Sequence, residues 1–399
     1  MEILRKLYEM TALGAMFQAP ETFIMILIGL FLLFLGIYKK YEPLLLVPIG
    51  FGLILANAMG GGMSVVPSND EILHMSLPEI AYDYGIMNLI YYSLIKTGLL
   101  PPIIFMGVGA LTDFGPMLRN LRLAFFGAAA QLGIFTVLIG AVAAGFTLKE
   151  AGSLGIIGGA DGPTAIYTTI KLAPHLLGPI AVAAYSYMAL VPVIIPFVVR
   201  LTTTKSELRI NMREQDALFP NKRPIRNMRT LKIVFPLMMG GMVALFVPSA
   251  VPLVGMLLFG NLVKEIGKDT ERLFKVASGG ILNAATIFLG LSVGATMTAE
   301  TFLNVQTLMI ITGGFLAFCL SVAGGIFAVK VYNLIAKKKI NPLIGATGLS
   351  AVPMASRVAN EIALKHDPGN HILQYAMASN ISGVIGSAVA AGVLITFLA

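Results

Sequence analysis

An acid stands among helix breakers in an otherwise apolar stretch: Gly155-Ile156-Ile157-Gly158-Gly159-Ala160-Asp161-Gly162-Pro163-Thr164-Ala165-Ile166-Tyr167. A carboxylate at membrane depth costs roughly 2.5 to 3.5 kcal/mol even on the lenient insertion scale, so it marks a functional site by default. A second broken stretch runs Asn341-Pro342-Leu343-Ile344-Gly345-Ala346-Thr347-Gly348-Leu349-Ser350-Ala351-Val352-Pro353-Met354-Ala355-Ser356-Arg357. Unwound backbone there leaves carbonyls without helical partners, and Asn341 and Ser350 add side-chain oxygens. Hard cations such as sodium take oxygen ligands. With Asp161 supplying the charge, a sodium site where the two stretches meet is chemically reasonable. The competing structural reading is that Gly and Pro kink packed helices, Asn341 caps one of them, and Asp161 pairs with Arg357.

Other residues carry weaker signals. Arg357 could neutralise Asp161 when no cation is bound, receive an anionic group from a partner, or snorkel to the membrane face. Tyr185 and Tyr187 follow the first broken stretch, and a phenol can relay a proton or simply hydrogen-bond. Asn380, Ser382 and Ser387 suit hydrogen bonding between helices. The chain lacks Gly-x-Gly-x-x-Gly, a phosphate-binding Gly-x-x-x-x-Gly-Lys-Ser/Thr and the Met-Lys-Met of biotin acceptors. His74, His175, His366 and His371 form no ligand spacing, and Cys319 alone allows neither an internal disulfide nor a thiolate cluster. The chain therefore has no apparent means of holding a cofactor itself.

The elements that must position these residues are membrane spans. Of the 399 residues, 57% are hydrophobic and only 12% charged, against about 25% charged in soluble chains, which places the protein among polytopic membrane proteins. Apolar runs that could span lie near 22–38, 43–57, 85–112, 123–145, 178–199, 233–247, 250–263, 276–295, 305–330 and 371–398. The broken stretches occupy 153–171 and 341–364. Arg5, Lys6 and Glu9 precede the first run without a convincing cleavage site, so that run reads as a retained span.

The formal charge of +8 lies in short loops between spans, which is the positive-inside pattern and not a nucleic-acid stripe. The segment Arg200 to Lys232 is dense in Lys and Arg and should be cytoplasmic, whereas 58–84 has no Lys or Arg and four acids and should be outside. Arg119 and Arg122 must share a side with the 200–232 loop, and the two clear spans between them, 123–145 and 178–199, already bring the chain back to that side. Each broken stretch must return to the side it came from, so both would be re-entrant or discontinuous.

Internal similarity supports this arrangement. Val47-Pro48 precedes Asn57 as Val251-Pro252 precedes Asn261, Val108-Gly109-Ala110 matches Val293-Gly294-Ala295, and Ile157-Gly158 matches Ile344-Gly345. Each matched pair would run in opposite directions. The expected fold is thus an all-α polytopic membrane protein of two inverted repeats, each about five spans plus one broken element, transporter-like and suited to alternating access. The first repeat and an N-terminal extension fall in 1–200, the basic loop in 201–232, and the second repeat in 233–399.

At this point the residues resemble a known family. The run around Asp161, the run from Asn341 to Arg357 and the last span from Asn380 closely resemble the beta subunit of the sodium-pumping biotin-dependent decarboxylases, over nearly the whole chain. The resemblance implies a prokaryotic inner-membrane subunit that decarboxylates carboxybiotin held by a separate carrier, consumes a proton and exports sodium. It also implies a carboxyltransferase subunit, a small membrane subunit, an oligomeric complex and, as cofactors, sodium ion and carboxybiotin. The family's aspartate falls on Asp161 and its tyrosine on Tyr187. Its other polar positions fall on Asn341, Gly345, Ser350 and Arg357. Asp161, Asn341, Gly345 and Ser350 would then bind sodium, while Asp161, Tyr187 and Arg357 take part in catalysis and Arg357 contacts carboxybiotin. The alternative is a secondary sodium-coupled symporter of small organic anions, because the bile acid sodium symporter family uses the same two-broken-segment design. A membrane-embedded scaffold is a third class, disfavoured by Asp161.

Overall fold

A computed structural model describes residues 19–58, 61–66, 70–220 and 227–399. The N-terminal charges Arg5, Lys6 and Glu9 lie outside the described residues. Seven helices among these residues are long and apolar enough to cross a membrane, or up to nine if bent pairs count as single spans. The described residues contain no strand, and the protein is an all-α, multi-pass membrane protein.

The first half begins with α1 (Pro20–Ile37) and α2 (Pro43–Asn57). The expected span 85–112 is divided: α3 (Ile86–Ile90) runs through a π turn and then bends by 69° into α4 (Leu100–Leu111). The bend follows from Gly98, at φ +75°, and from the Pro101-Pro102 pair, which lacks two N–H donors. Next come α5 (Leu121–Ala130) and α6 (Leu132–Ala143), separated only by Gln131. The first broken stretch is α7 (Leu148–Gly155), a 3-10 turn over Ile156–Gly159, and α8 (Gly162–Leu172). The expected span 178–199 also divides, into α9 (Leu177–Ala189) and α10 (Val191–Thr202), where Pro192 lies in the first turn of the new helix.

The second half contains α11 (Met228–Phe246), α12 (Val251–Ile266), α13 (Leu282–Ala295) and the long α14 (Val305–Ile335). The second broken stretch is α15 (Leu343–Ala346), an irregular passage, and α16 (Met354–His366); α17 (Leu373–Leu398) closes the chain.

Two helix pairs place the residues matched in sequence at matched contacts. A Cβ on Gly109 of α4 would lie 1.9 Å from the Leu257 carbonyl oxygen of α12, and one on Gly294 of α13 would lie 2.2 Å from the Ile49 carbonyl oxygen of α2. Only glycine allows such approach, and helix association in lipid depends on it because apolar side chains gain little there. At the end of each pair an asparagine closes the partner helix. Asn57 Nδ2 donates to Met297 O over 2.7 Å, and Asn261 Nδ2 donates to Thr112 O over 2.8 Å.

The buried apolar residues form two clusters. One includes residues of α5 to α10, α14, α16 and α17; the other joins α1 to α4 with α13. Helices α8 and α9 contribute to both, with Tyr187 in the first cluster and Tyr185 in the second. The first broken stretch thus touches both clusters through α8, whereas the second packs within the first cluster.

Candidate functional site

Asp161 occupies the N-cap of α8. Ala160 just before it is in the left-handed region at φ +54°, turning the chain out of the 3-10 segment, and Pro163 then presets the first helical turn. The carboxylate is buried, 5% exposed. Its Oδ1 accepts from the Thr164 backbone N–H at 3.2 Å, and its Oδ2 accepts from the hydroxyls of Ser350 and Ser387, each at 2.9 Å. The Ser350 backbone N–H also donates to Gly159 O over 2.9 Å, so the two broken stretches cross at this point. The carboxylate lies at the N-terminal, positive end of the α8 dipole.

A cavity of about 190 Å³ opens beside the carboxylate and is lined by Asp161, Ser350, Tyr185, Glu42, Asn283 and Thr286 among others. Tyr185 is 1% exposed and its hydroxyl has no hydrogen-bond partner among the described residues. Its ring lies on Gly162, where an added Cβ would come within 2.0 Å, so glycine there lets the phenol approach the start of α8. Gln131 Oε1, Thr164 Oγ1 and Ser321 Oγ are likewise buried without partners. A Cβ on Gly159 would stand 3.6 Å from Gln131 Oε1, and one on Gly158 3.0 Å from Ser321 Oγ. Buried oxygens are rarely left unpaired without a reason. A carboxylate, two hydroxyls and several orphaned oxygens fit a hard monovalent cation. Among the described residues no group of three His, Cys, Asp or Glu gathers in the manner of a transition-metal site.

The structure brings together some of the residues expected from sequence and separates others. Asp161 and Ser350 touch. Asn341 is fully buried but points elsewhere: its Oδ1 accepts from Leu343 N at 3.0 Å, and its Nδ2 donates to Leu208 O and Ile210 O at 2.9 and 3.1 Å. It fastens the start of the second broken stretch to the basic loop. Gly345 packs on α14, where its added Cβ would lie 2.1 Å from Gly325 O. Neither lines the cavity.

Tyr187 faces away from Asp161. Its hydroxyl donates to Ile311 O of α14 and its ring packs on Phe315. Residues two apart on a helix face different sides, so Tyr185 and Tyr187 cannot both serve the carboxylate. Arg357 is exposed on α16 and makes no ion pair among the described residues; the partners of Asp161 are Thr164, Ser350 and Ser387.

Asn380 accepts from Ser356 Oγ at 3.1 Å and donates to Leu349 O, holding the irregular passage, while Ser382 donates to Ala124 O at 2.6 Å. Ser387, expected only to join helices, is a direct partner of Asp161. The signal was available: Ser387 lies seven residues after Asn380, which puts both on one face of α17. Gln131 and Glu42 carried no comparable signal, because only the fold brings them to the crossing and to the cavity.

The arrangement is that of a membrane protein with one buried carboxylate held between two broken helices, a design suited to ion translocation. Residues 21–398 match the family described as Na+-transporting oxaloacetate decarboxylase beta subunit, and the chain belongs to that family. It is 45% identical to the oxaloacetate decarboxylase beta chain 2 of Salmonella typhi, covering 97% of each chain. It is 48% identical to the methylmalonyl-CoA decarboxylase subunit beta of Propionigenium modestum, covering 94% of each, and 46% identical to the corresponding subunit of Veillonella parvula, covering 94% of this chain and 92% of that one.

Proposed function

We propose that this chain is the membrane subunit of a sodium-translocating decarboxylase complex, coupling the decarboxylation of carboxybiotin to sodium export through Asp161. The observation that carries the coupling is the crossing itself, where Ser350 and Ser387 from the second half meet the carboxylate of the first. Family membership favours this reading over a secondary symporter of organic anions.

Loss of carbon dioxide from a carrier-bound carboxybiotin leaves a ureido nitrogen that must take up one proton. Asp161 can supply that proton if it alternates between a protonated acid and a sodium-bound carboxylate. Sodium and proton then compete for one group, which is what coupling requires, since a ligand shifts a conformational equilibrium only through differential affinity. In the sodium-bound form Ser350 and Ser387 turn their hydroxyl lone pairs to the ion, with the Tyr185 oxygen nearby. Asn341 and Gly345 support the site by fixing the start of the second broken stretch. Tyr187 holds α9 against α14, and exposed Arg357 is available to an anionic group on a partner. The likeness of the Asn57–Met297 contact to the Asn261–Thr112 contact, and of the Gly109–Leu257 approach to the Gly294–Ile49 approach, supports two inverted repeats. The boundary between the two apolar clusters is where one body would move against the other.

The complex would include a carboxyltransferase, a biotin carrier and a small membrane subunit. The purified complex should contain a biotinylated polypeptide, and its absence would sink the reading. Asp161→Asn should abolish sodium-dependent decarboxylation in a complex that still assembles; retained activity removes Asp161 from the mechanism.

A further inference from the structure

The cavity beside Asp161 holds a second carboxylate. Glu42 sits in the loop between α1 and α2 and lines the same cavity, together with Asn283 and Thr286 of α13. The cavity lining contains no Lys, Arg or His, and Glu42 makes no ion pair among the described residues. Two carboxylates in one partly dehydrated space repel each other unless a cation or a proton lies between them. The Tyr185 hydroxyl, buried and without a partner, adds an unsatisfied oxygen to the same space. Burial raises the Glu42 carboxyl above its ordinary value, as expected of an acid without a counter-charge.

Glu42 is also held in an uncommon backbone conformation, at φ +36° and ψ +60°, in the left-handed region that favours glycine. Such a conformation is disfavoured for a residue with a side chain and persists where the surroundings impose it, often at ligand clamps. Here it directs a charged residue into the cavity at the start of α2. Lys39 and Lys40 in the same loop mark the side of the basic loops, so Glu42 stands at the cavity's end nearest that side.

We propose that Glu42 is a sodium-recruiting ligand at the mouth of this cavity, forming with Asn283 and Thr286 an outer cation site from which sodium passes the Tyr185 oxygen to reach Asp161. This rests on the reading of Asp161 as the translocating carboxylate. Glu42 belongs to the body of α1 to α4 and α13, whereas Asp161 belongs to the crossing. Motion of one body against the other would therefore separate the outer site from the inner one, and sodium taken up at Glu42 could not return.

The test is the sodium dependence of decarboxylation by the assembled complex. Glu42→Gln should raise the half-saturating sodium concentration about ten-fold while leaving the rate at saturating sodium within a factor of two, as expected of a carboxylate that attracts the ion but does not carry the coupling. Asn283→Asp in the Glu42→Gln background returns a carboxylate to the same cavity and should restore most of the lost sodium affinity. If Glu42→Gln prevents assembly, Glu42→Asp keeps the charge at shorter reach and should raise the same concentration by a smaller factor. An unchanged half-saturation in the variant that assembles, or a lowered maximal rate alone, overturns the proposal. A wild-type complex with no sodium dependence would instead defeat the proposed function, so the two failures are distinguishable.

Discussion

The Ser387 hydroxyl of the last helix donates to Asp161 Oδ2 over 2.9 Å, and the Ser350 hydroxyl donates to the same oxygen over the same distance. Two donors from different elements on one oxygen fix the carboxylate while leaving Oδ1 to a single backbone N–H. A hydrogen bond to a charged group contributes about 1.5 to 3 kcal/mol. Ser387→Ala should therefore raise half-saturating sodium about ten-fold or more without preventing assembly. Because the serines share an acceptor, Ser350→Ala and Ser387→Ala should couple by at least about 0.5 kcal/mol in a double-mutant cycle. Strict additivity would show that the two hydroxyls do not act on one site.

The two tyrosines of α9 should separate stability from function. Tyr185→Phe removes a hydroxyl without a partner among the described residues, so the thermal midpoint should hold or rise while sodium-dependent decarboxylation falls. Tyr187→Phe removes the bond to Ile311 O and leaves that carbonyl without its side-chain donor, which should cost about 1 kcal/mol of stability. Thermal unfolding and turnover measured on both variants check this. The reverse pattern would move the functional role to Tyr187.

The sequence makes the two broken stretches and the central acid legible because a charge and helix breakers in an apolar run conflict with every local preference. Its short matches also point to the helix pairs in which Asn57 and Asn261 make like contacts. It does not show which tyrosine faces Asp161, since positions 185 and 187 read alike until the packing of α9 against α14 is known. Nor does it show that Asn341 bonds to Leu208 and Ile210, because both carbonyls belong to a basic loop more than a hundred positions away. The bends at Gly98 and Leu190 were hidden for a related reason. A hydrophobic run measures length in sequence, while a proline or a positive φ decides whether that length stays straight.

On the side of the protein away from the basic loops, Glu150 caps α7 and its Oε1 lies 2.9 Å from His175 Nε2 and 3.2 Å from Gln306 Nε2. Burial raises its pKa, but the Thr147 backbone N–H, His175 and the Thr147 hydroxyl outweigh that effect and bring it from 4.5 to about 2. A folded pKa below the unfolded one means that the contribution to stability is complete above about pH 4.5 and is lost as pH falls toward 2. Thermal midpoints of the wild type should drop across that window, and those of Glu150→Gln should drop less. Equal slopes in the two proteins would show that the carboxylate gains nothing from these contacts.

The paired asparagines offer a test of the repeat that does not depend on activity. Asn57 and Asn261 are both buried, and each donates to a carbonyl just beyond the end of the helix beside it, Met297 O and Thr112 O. Removing the Asn57 donor leaves Met297 O short of a partner, at a cost of about 1 to 3 kcal/mol, whereas Thr112 O keeps the Lys264 Nζ donor at 2.9 Å when Asn261 is removed. If the two halves are structural equivalents, Asn57→Ala and Asn261→Ala should both lower stability, Asn57→Ala the more because Lys264 remains on Thr112 O. Their double variant should be additive within about 0.5 kcal/mol, because the two contacts share no residue. Reversible unfolding in detergent, followed by helix signal against denaturant, measures all three. A large loss in one variant and none in the other would mean that the matched spacing reflects sequence likeness without equivalent load.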